Sequence, residues 1–327
     1  HMTTTIVMVM LLRKLVANYK GRWVFASLIV IAANSGGAFS PIGDVTTIML
    51  WVKGTITALP LIKALILPSI VSVVIPTLLA SRILKGILRS PDYVDMDSNR
   101  PKFISRKESK RILILGVLLL VLVPVFKSVT HLPPYMGVLT ALGILWVYTE
   151  IMYDRKKDIE ESIKHRVAKV IKHIDMPTIL FFLGILMSVA ALQSAGILGQ
   201  FSTFLDEKVH NVYAINTMIG LLSSVVDNVP LVAGAMGMYP VVDTAMLSTM
   251  ADPTYMQNFV QDGIFWHLLA FCAGTGGSIL IIGSAAGVVA MGLEKINFMW
   301  YLKNISLMAL TGCFACVALY SLQVLVG

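Results

Sequence analysis

Residues 32–47, with the sequence AANSGGAFSPIGDVTT, interrupt an otherwise apolar part of the chain. Strongly apolar runs flank this stretch on both sides, over residues 23–33 and 45–52. Glycine and proline are the poorest helix formers, so three glycines and a proline this close together favour a break in the helix. The stretch therefore predicts a helix that stops partway through an apolar layer and then starts again.

A second copy of the pattern lies near the other end of the chain, at residues 272–284 (CAGTGGSILIIGS). Aligned without a gap, the two stretches share Ser/Thr-Gly-Gly-x4-Ile-Gly-Asp/Ser, and Gly277 follows Gly37 by 240 residues. A long motif repeated in this way indicates an internal duplication. The sequence therefore predicts two broken helices, one in each repeat.

The composition indicates an integral membrane protein. Of the 327 residues, 57% are hydrophobic and only 13% are charged, whereas about a quarter of the residues in a soluble domain are charged. Helices of about 20 apolar residues are the expected unit, because a helix satisfies its own backbone hydrogen bonds within lipid. The apolar runs are too long and alternate too weakly to be the strands of a barrel.

The net charge of +8 comes from Lys and Arg that are concentrated between the apolar runs. Basic clusters at 13–22, 81–111 and 154–176 are typical of cytoplasmic loops, whereas 247–262 contains neither Lys nor Arg and is expected outside. This distribution explains the charge without a nucleic-acid partner. The apolar spacing within 154–176 also predicts an amphipathic helix on the membrane surface.

The apolar segment 209–246 is interrupted by Asp227-Asn228-Val229-Pro230. As a single helix it would extend roughly 57 Å, far more than the bilayer core. Because the span before it is expected to run outward and 247–262 to lie outside, the segment must enter and leave on the same side. It therefore predicts a re-entrant hairpin whose tip faces a cavity, since irregular backbone is not tolerated against lipid.

The same alignment makes residues 1–12 the exit arm of a first hairpin, which leaves toward the basic side. The two repeats are therefore expected to be inverted, as in many secondary transporters. The predicted fold is an all-α integral membrane protein with inverted repeats, two discontinuous helices and re-entrant hairpins. Its expected parts are an incomplete first repeat (1–90), a cytoplasmic basic loop (91–111) and a second repeat (112–327). A longer protein that continues before residue 1 is expected, because much of the second repeat has no counterpart.

Two carboxylates, Asp44 and Asp227, are predicted deep in the membrane, each at a helix interruption. A charge at that depth is costly, so each is by default a candidate for binding an ion or a proton. Helix capping is the alternative. Asp44 directly precedes an apolar run and matches an N-cap, and Asp227 could stabilise the hairpin tip.

Both interruptions are rich in oxygen atoms, which hard cations prefer as ligands. The half-helices at 23–33 and 264–273 point their negative dipole ends at the breaks, which favours a cation there. Carbonyls freed at 34–37 and 274–277 are expected to add ligands, and the paired glycines to serve close approach and positive φ. For each serine or threonine hydroxyl taken singly, a hydrogen bond to the backbone of its own helix is the simpler explanation. The candidate ion-binding residues are Asp227, Asn228, Asp44, Thr46, Thr47, Asn34, Ser35, Thr275 and Ser284, with the backbone at Gly36, Gly37, Gly276 and Gly277.

Other polar side chains have simpler explanations. His267 lies within a half-helix and could titrate, but a hydrogen-bonded packing role is expected. Glu294 lies near a helix end, where snorkelling to the surface explains it. Cys313-x-x-Cys316 has no second half, so neither a disulfide nor a zinc site is expected.

These motifs resemble those of the NhaD-type sodium/proton antiporters, in the ion transporter superfamily. The resemblance covers nearly the whole chain, and it implies export of Na⁺ or Li⁺ from the cytoplasm in exchange for protons. It also implies an Asp-Asn pair in the first hairpin just before the threonines, and no such pair precedes Thr3 in this sequence. The motifs are GGAFSPIGDVTT (36–47), VDNVPLV (226–232), GTGGSILIIGSAAG (274–287), LFFLGIL (180–186) and GLEKI (292–296).

The favoured hypothesis is a secondary transporter in which Asp227 or Asp44 binds either a proton or a sodium ion. The loaded repeat core then moves to switch access between the two sides. The expected partners are the lipid bilayer, Na⁺ or Li⁺, protons and a second copy of the chain. The expected location is the inner (plasma) membrane, and neither a cofactor nor enzymatic activity is expected.

Three alternatives stay open. An anion or dicarboxylate carrier of the same superfamily would use the helix N-termini at Asp44 and Ser284. An intramembrane aspartyl protease would use the two aspartates, but Pro41 and Val226 do not fit the usual motifs. A membrane scaffold without transport is the third.

Overall fold

The structure is a computed structural model that describes residues 2–82, 84, 105–155 and 176–326. Over these residues it contains fifteen α-helices and two short 3₁₀ helices, and β-structure is limited to one isolated bridge between Val242 and Val260. The all-α membrane fold predicted from the sequence is therefore confirmed. The predicted surface helix at 154–176 and most of the predicted loop at 91–111 lie outside the described residues.

The helices are numbered in chain order. They are α1 (Met2–Leu15), α2 (Tyr19–Ala38), α3 (Val45–Lys53), α4 (Ala58–Ser81), α5 (Arg106–Thr130), α6 (Pro134–Asp154), α7 (Met176–Ser194), α8 (Ile197–Lys208), α9 (Val212–Leu222), α10 (Asn228–Met238), α11 (Pro253–Met256), α12 (Ile264–Gly276), α13 (Ala285–Glu294), α14 (Phe298–Asn304) and α15 (Ser306–Val326). The 3₁₀ helices are Thr244–Thr249 and Gln257–Phe259.

The chain divides into two compact units. One comprises His1–Tyr93 with Gly184–Gly327, and the other comprises Val94–Leu183. In the second unit α5 and α6 pack side by side. The first unit contains both copies of the repeated motif. The division of the chain into parts at 1–90, 91–111 and 112–327 stays a prediction.

Helix length separates full spans from half spans. Within the described residues, α4, α5, α6 and α15 are each long and apolar enough to cross a membrane. The α7–α8 pair is a further candidate and bends by 73° near Gly196, whose φ is 74°. By contrast α9, α10, α12 and α13 are apolar but have only 11, 11, 13 and 10 residues. At about 1.5 Å per residue, each reaches roughly half of the bilayer core.

Two discontinuous helices, α2–α3 and α12–α13, occur where the repeated motif predicts them. The predicted ends of their first halves, at residues 33 and 273, are wrong, because α2 continues to Ala38 and α12 continues to Gly276. The residues whose carbonyls were expected to be free therefore lie at the ends of α2 and α12, where the last carbonyls have no partner within the helix. The Thr275 and Gly276 carbonyls accept instead from the amides of Ser278 and Ile279.

Close packing explains why these helices continue through their glycines. Glycine costs a helix about 1 kcal/mol relative to alanine, but a small residue lets two membrane helices approach closely. A Cβ on Gly274 would lie 3.4 Å from the Ala38 Cβ, so α12 and α2 touch here. Gly276 similarly lies against the backbone of Gly220 in α9. These contacts offset the low helix propensity.

The ends of the broken helices show that the two repeats are inverted. Arg22, in the first turn of α2, donates to Glu294, the last residue of α13, over 2.9 Å. Asp262, just before α12, accepts from Thr57, which follows α3. Each broken helix therefore starts where the other finishes, and the two run antiparallel. We call these regions the Arg22 end and the Asp262 end.

The re-entrant hairpin predicted over 209–246 is confirmed, with α9 and α10 as its arms. Near the end of α9, Gly220 lies against Gly276 at the end of α12, so both helices run inward from the Asp262 end. The second arm returns to the same end, where Lys53 Nζ at the end of α3 donates to the Met236 carbonyl near the end of α10 over 2.6 Å. The hairpin tip therefore lies at the depth of the helix breaks.

The expectation that Glu294 snorkels to the surface is wrong. Its side chain is 1% exposed, and its two carboxylate oxygens accept from Arg13 Nε over 2.6 Å and from Arg22 Nε over 2.9 Å. Its carbonyl accepts from the Trp23 indole over 3.0 Å. Buried charge of this kind needs partners, and apolar packing between α1, α2 and α13 seals the site beside it.

Two elements near the hairpin and the chain end differ from the prediction. Helix α8 was not predicted, because its polar and charged residues hide it from a search for apolar spans. The last apolar stretch of the chain forms two helices rather than one, since Ile305 separates α14 from α15. Within α14, the Tyr301 hydroxyl donates to the Ser278 carbonyl over 2.6 Å. That bond fixes α14 against the second helix break.

Candidate ion-binding site

Asp44 is the N-cap of α3. One oxygen, Oδ1, accepts from the Val45 amide over 2.6 Å, and the Asp44 side chain also accepts from the Thr47 amide in a capping box. The Thr47 hydroxyl completes the box by accepting from the Asp44 amide over 3.2 Å. Such a cap satisfies amides that have no partner within the helix. The prediction that Asp44 caps a helix is therefore confirmed, and it accounts for the contacts of Oδ1.

The second oxygen of Asp44 faces the other repeat. Asp44 Oδ2 accepts from Asn228 Nδ2 at the hairpin tip over 2.8 Å, and from the Thr46 hydroxyl over 3.0 Å. Asp44 is only 6% exposed, and Asn228 is also buried. This contact joins the break of the first repeat to the tip of the second repeat, although the two residues are far apart in the sequence.

Asn34 makes an equivalent link toward the second break. Its Nδ2 donates to the hydroxyls of Ser278 and Ser284, each over 2.9 Å. Ser284 is the N-cap of α13, and its hydroxyl accepts from the Gly287 amide over 3.2 Å. Ser284 therefore has the same capping role in its repeat as Asp44 has in the first. We call the region formed by Asn34, Asp44, Asn228, Ser278 and Ser284 the crossing.

Asp227 precedes the tip residue Asn228 and occupies the N-cap position of α10. Its side chain makes no capping hydrogen bond to that helix. It is partly exposed, whereas Asn228 beside it is buried. Asp227 therefore does not cap α10, and the expectation that it stabilises the hairpin tip stays a prediction. Its role as an ion or proton ligand stays a prediction.

Two candidate hydroxyls face away from Asp44. Ser35 Oγ accepts from Ser72 Oγ of α4 over 2.8 Å. Thr275 Oγ1 donates to the Phe271 carbonyl of its own helix over 2.8 Å and contacts Cys313 Sγ of α15 at 3.7 Å. Ser35 and Thr275 occupy equivalent positions in the two repeats, and each faces the long helix that packs on its own broken helix. For Thr275, the bond to its own helix matches the simpler explanation.

The four paired glycines have different roles. Close approach is confirmed for Gly37, where a Cβ would lie 3.3 Å from the Asp44 Cβ, and for Gly277, where it would lie 2.7 Å from the Gly283 carbonyl oxygen. Gly276 also packs closely, as described above. At Gly36 the space within 4 Å of a Cβ is open, so close approach is not needed there. The expected positive φ is wrong at all four positions, since the described glycines with positive φ are Gly54 and Gly196.

Three further serines near the crossing, Ser278, Ser72 and Ser223, are not predicted from the sequence. Ser278 directly follows the paired glycines, and this position could have marked it as a site residue. Its counterpart in the first repeat is the apolar Ala38, so a comparison of the two repeats does not single it out. Ser223 Oγ donates to the Ala273 carbonyl over 2.7 Å and ties the hairpin to the last turn of α12. Serines in apolar helices are common, so the sequence alone does not single out Ser72 or Ser223.

The chemistry of the crossing is that of buried oxygen ligands. It combines one buried carboxylate with side-chain amides and hydroxyls. The C-terminal, negative ends of α2 and α12 point toward it, and so do the N-terminal, positive ends of α3, α10 and α13. Hard monovalent cations and protons suit such a set, since carboxylate, amide and hydroxyl oxygens all bind them. Within the described ranges, no group of three His, Cys, Asp or Glu side chains could hold a metal ion.

Comparison with known proteins gives a consistent result. The chain matches the family model described as citrate transporter (CitMHS) over residues 2–260. It is 45% identical over 320 residues to sodium/proton antiporter 1 of Arabidopsis thaliana. The aligned region covers 98% of this chain and 52% of that protein. It is 44% identical to sodium/proton antiporter 2 of the same plant, which covers 98% of this chain and 72% of that protein. The Na(+)/H(+) antiporter NhaD of Vibrio cholerae is 31% identical over 84% of this chain and 56% of its own length. The chain thus spans about half of the first and third of these relatives.

Proposed function

This chain belongs to the citrate transporter (CitMHS) family, and from that premise we propose that the protein exchanges Na⁺ or Li⁺ for protons across a membrane. The observation that carries the proposal is the contact between Asp44 Oδ2 and Asn228 Nδ2. It places a buried carboxylate where the two inverted repeats meet. The names of the similar antiporters support the same cargo.

The proposed mechanism is competition for one negative charge. The negative charge of a carboxylate in a low-dielectric site is costly, so the carboxylate binds either a proton or a cation. Asp44 and Asp227 are the proposed titrating groups, and Asn228, Asn34, Ser284 and the threonines after Asp44 offer neutral oxygens to the dehydrated ion. Because the site is made by both repeats, loading it with either ion changes the contacts between them. Access then switches from one side of the membrane to the other.

An anion carrier is the second candidate, and the family name favours it. That alternative relied on the amides at the starts of α3 and α13. These amides are engaged by caps, since Val45 and Gly287 donate to Asp44 and Ser284. A carboxylate anion would also approach the like charge of Asp44. The geometry therefore favours a cation over citrate or a dicarboxylate.

The remaining parts of the proposal concern partners and place. The family and the apolar helices make the chain part of a multi-pass membrane protein and point to a transporter rather than an enzyme. We propose that the protein works in the inner (plasma) membrane as a homodimer and needs no cofactor. Cross-linking of the protein in native membranes would test the dimer.

The test is Na⁺-driven proton exchange by the full-length protein in vesicles. We expect Asp44→Asn and Asp227→Asn each to abolish the pH change that a Na⁺ gradient produces, because neither variant can alternate between Na⁺ and H⁺. Glu207→Gln is the control, since Glu207 is exposed on α8. Wild-type exchange in both aspartate variants would contradict the site, and counter-flow of citrate without Na⁺ exchange would favour the anion carrier.

A further inference from the structure

The two broken helices are held together at both of their ends, the Arg22 end and the Asp262 end. The residues involved are at equivalent positions in the two repeats, but the interactions differ. At the Arg22 end, Glu294 is held by Arg13 and Arg22. This fastening joins one buried carboxylate to two guanidinium groups and contains no histidine. The residue that follows Arg22 by the repeat offset of 240 is Asp262.

At the Asp262 end, a carboxylate takes the place of the arginine. Asp262 Oδ1 accepts from the Thr57 amide and Oδ2 accepts from the Thr57 hydroxyl, each over 2.6 Å. The Asp262 amide donates to the Thr55 carbonyl over 2.9 Å. These bonds hold the start of α12 to the link between α3 and α4. One acidic residue therefore joins the start of the second broken helix to the first repeat.

His267 lies one turn into α12 beside this carboxylate. Its side chain is 7% exposed, and its Nε2 is 3.6 Å from Asp262 Oδ1, just beyond hydrogen-bond distance. That nitrogen has no hydrogen-bond partner in the described structure. On the other side of the ring, Nδ1 lies 3.1 Å from the Tyr320 hydroxyl of α15. The imidazole is thus held in place by Tyr320 and aimed at Asp262.

Few other ionisable groups surround His267. Tyr213 of α9 neighbours Tyr320, and the phenol of tyrosine ordinarily ionises only near pH 10. On α3, Lys53 donates to the Met236 carbonyl. On α4, Lys63 is exposed, and α10 carries no ionisable side chain within Asn228–Met238. Asp262 is therefore the charge that the imidazole faces.

We propose that His267 is a proton-sensitive latch at the Asp262 end, which regulates the exchange proposed above and rests on that function. When His267 is protonated, its imidazolium pairs with Asp262 and holds α12 to the link between α3 and α4. When His267 is neutral, this hold weakens. Because α12 ends at the crossing, the latch controls how readily the half-helix beside the ion site moves. Acid on the side of the Asp262 end therefore slows switching.

The ionisation of Asp262 fits this role. Burial raises the pKa of that carboxyl, but the nearby His267 imidazole and the hydrogen bonds from Thr57 outweigh burial and hold the pKa below its ordinary value. Asp262 therefore stays charged wherever histidine titrates. Histidine is the side chain whose charge ordinarily changes between pH 5 and 8. The attraction between the two groups is strengthened by their partly buried surroundings.

The latch and the ion site leave different kinetic signatures. Protons that compete with Na⁺ at the crossing raise the KM for Na⁺ and are overcome by saturating Na⁺. A latch instead lowers the maximal rate, because it acts on movement after the ion has bound. The maximal rate at saturating Na⁺ therefore isolates the latch from the site.

The experiment uses the full-length protein in vesicles whose orientation has been determined, with pH varied only on the side of the Asp262 end. We expect the maximal rate of the wild type to fall by at least about threefold between pH 8 and pH 5.5, as one histidine becomes charged. In His267→Gln and His267→Asn the maximal rate should stay nearly constant. The dependence of KM on pH should be the same in all three proteins.

A matched control is available in His210→Asn. His210 also faces a carboxylate, with Nε2 3.3 Å from Asp252 Oδ2, but both side chains are about half exposed. Solvent screens such a pair, so this variant should keep the wild-type profile. Asp262→Asn should flatten the profile as the His267 variants do.

Three outcomes would overturn the latch. They are an equal fall in maximal rate in wild type and both His267 variants, a constant wild-type rate, and a steep profile in Asp262→Asn. A wild type that shows no exchange at any pH would instead contradict the proposed function. If the variants do not fold, amide hydrogen–deuterium exchange measured on the wild type tests the latch instead. Corrected for intrinsic rates, protection of the first turn of α12 should rise between pH 8 and pH 5.5, and unchanged protection would contradict the latch.

Discussion

Asp44 shows how one residue can serve both structure and binding. Its Oδ1 is committed to the amide of Val45, whereas its Oδ2 receives the Asn228 amide and the Thr46 hydroxyl. Capping and ion binding were alternatives when only the sequence was considered. Because the cap uses Oδ1 and the contacts at the crossing use Oδ2, a cap at this position does not argue against a role in transport.

Asn228→Ala should weaken Na⁺ binding without unfolding the protein. The change removes the donor to Asp44 Oδ2 but leaves the cap of α3 intact. The lost donor stabilises the ionised form of Asp44, which is the form that binds Na⁺, and a hydrogen bond to a charged group contributes about 1.5–3 kcal/mol. Protons then compete better with Na⁺, so we expect the KM for Na⁺ to rise by roughly tenfold or more. Asn304→Ala is the control, because its amide donates to the Trp300 carbonyl at a distance from the crossing. Equal KM values in the two variants would contradict the account.

At the scale of elements, the sequence predicts the positions of the breaks better than their edges. The repeated Gly-Gly motif marks both broken helices, and Asp227-Asn228 marks the hairpin tip. The helix ends at Ala38 and Gly276 were missed because they depend on a neighbour rather than on local propensity. Gly276 tolerates a helix because the α9 backbone packs on it, and the sequence gives no direct sign of that contact.

Gly276→Ala and Gly36→Ala should have opposite effects, although both replace a glycine of the same motif. A Cβ on Gly276 would collide with the Gly220 backbone, whereas a Cβ on Gly36 meets open space. We expect Gly276→Ala to lower the melting temperature and to abolish exchange. Gly36→Ala should be neutral or stabilising by about 0.5–1 kcal/mol, because alanine favours a helix. Thermal unfolding in detergent measures both, and a destabilised Gly36→Ala variant would argue against an open position.

At the scale of the molecule, inversion of the repeats explains why the site contains residues so distant in sequence. The loops and the hydropathy predicted that inversion, and the contacts of Arg22 with Glu294 and of Asp262 with Thr57 agree with it. The contacts themselves could not be predicted. Arg22 and Asp262 are equivalent by position but opposite in charge, and their partners come from the other repeat and from the link before α4. Likewise, only the fold reveals that Asn34 reaches Ser278.

Proton release on Na⁺ binding is the decisive measurement, because one buried carboxylate site is proposed to hold either Na⁺ or a proton. Na⁺ would be titrated into the purified full-length protein in weakly buffered solution, with choline as the control cation. We predict that Na⁺ releases protons, that choline releases none, and that Asp44→Asn and Asp227→Asn each reduce or remove the release. Na⁺ binding without proton release, or release unchanged in both variants, would contradict the account.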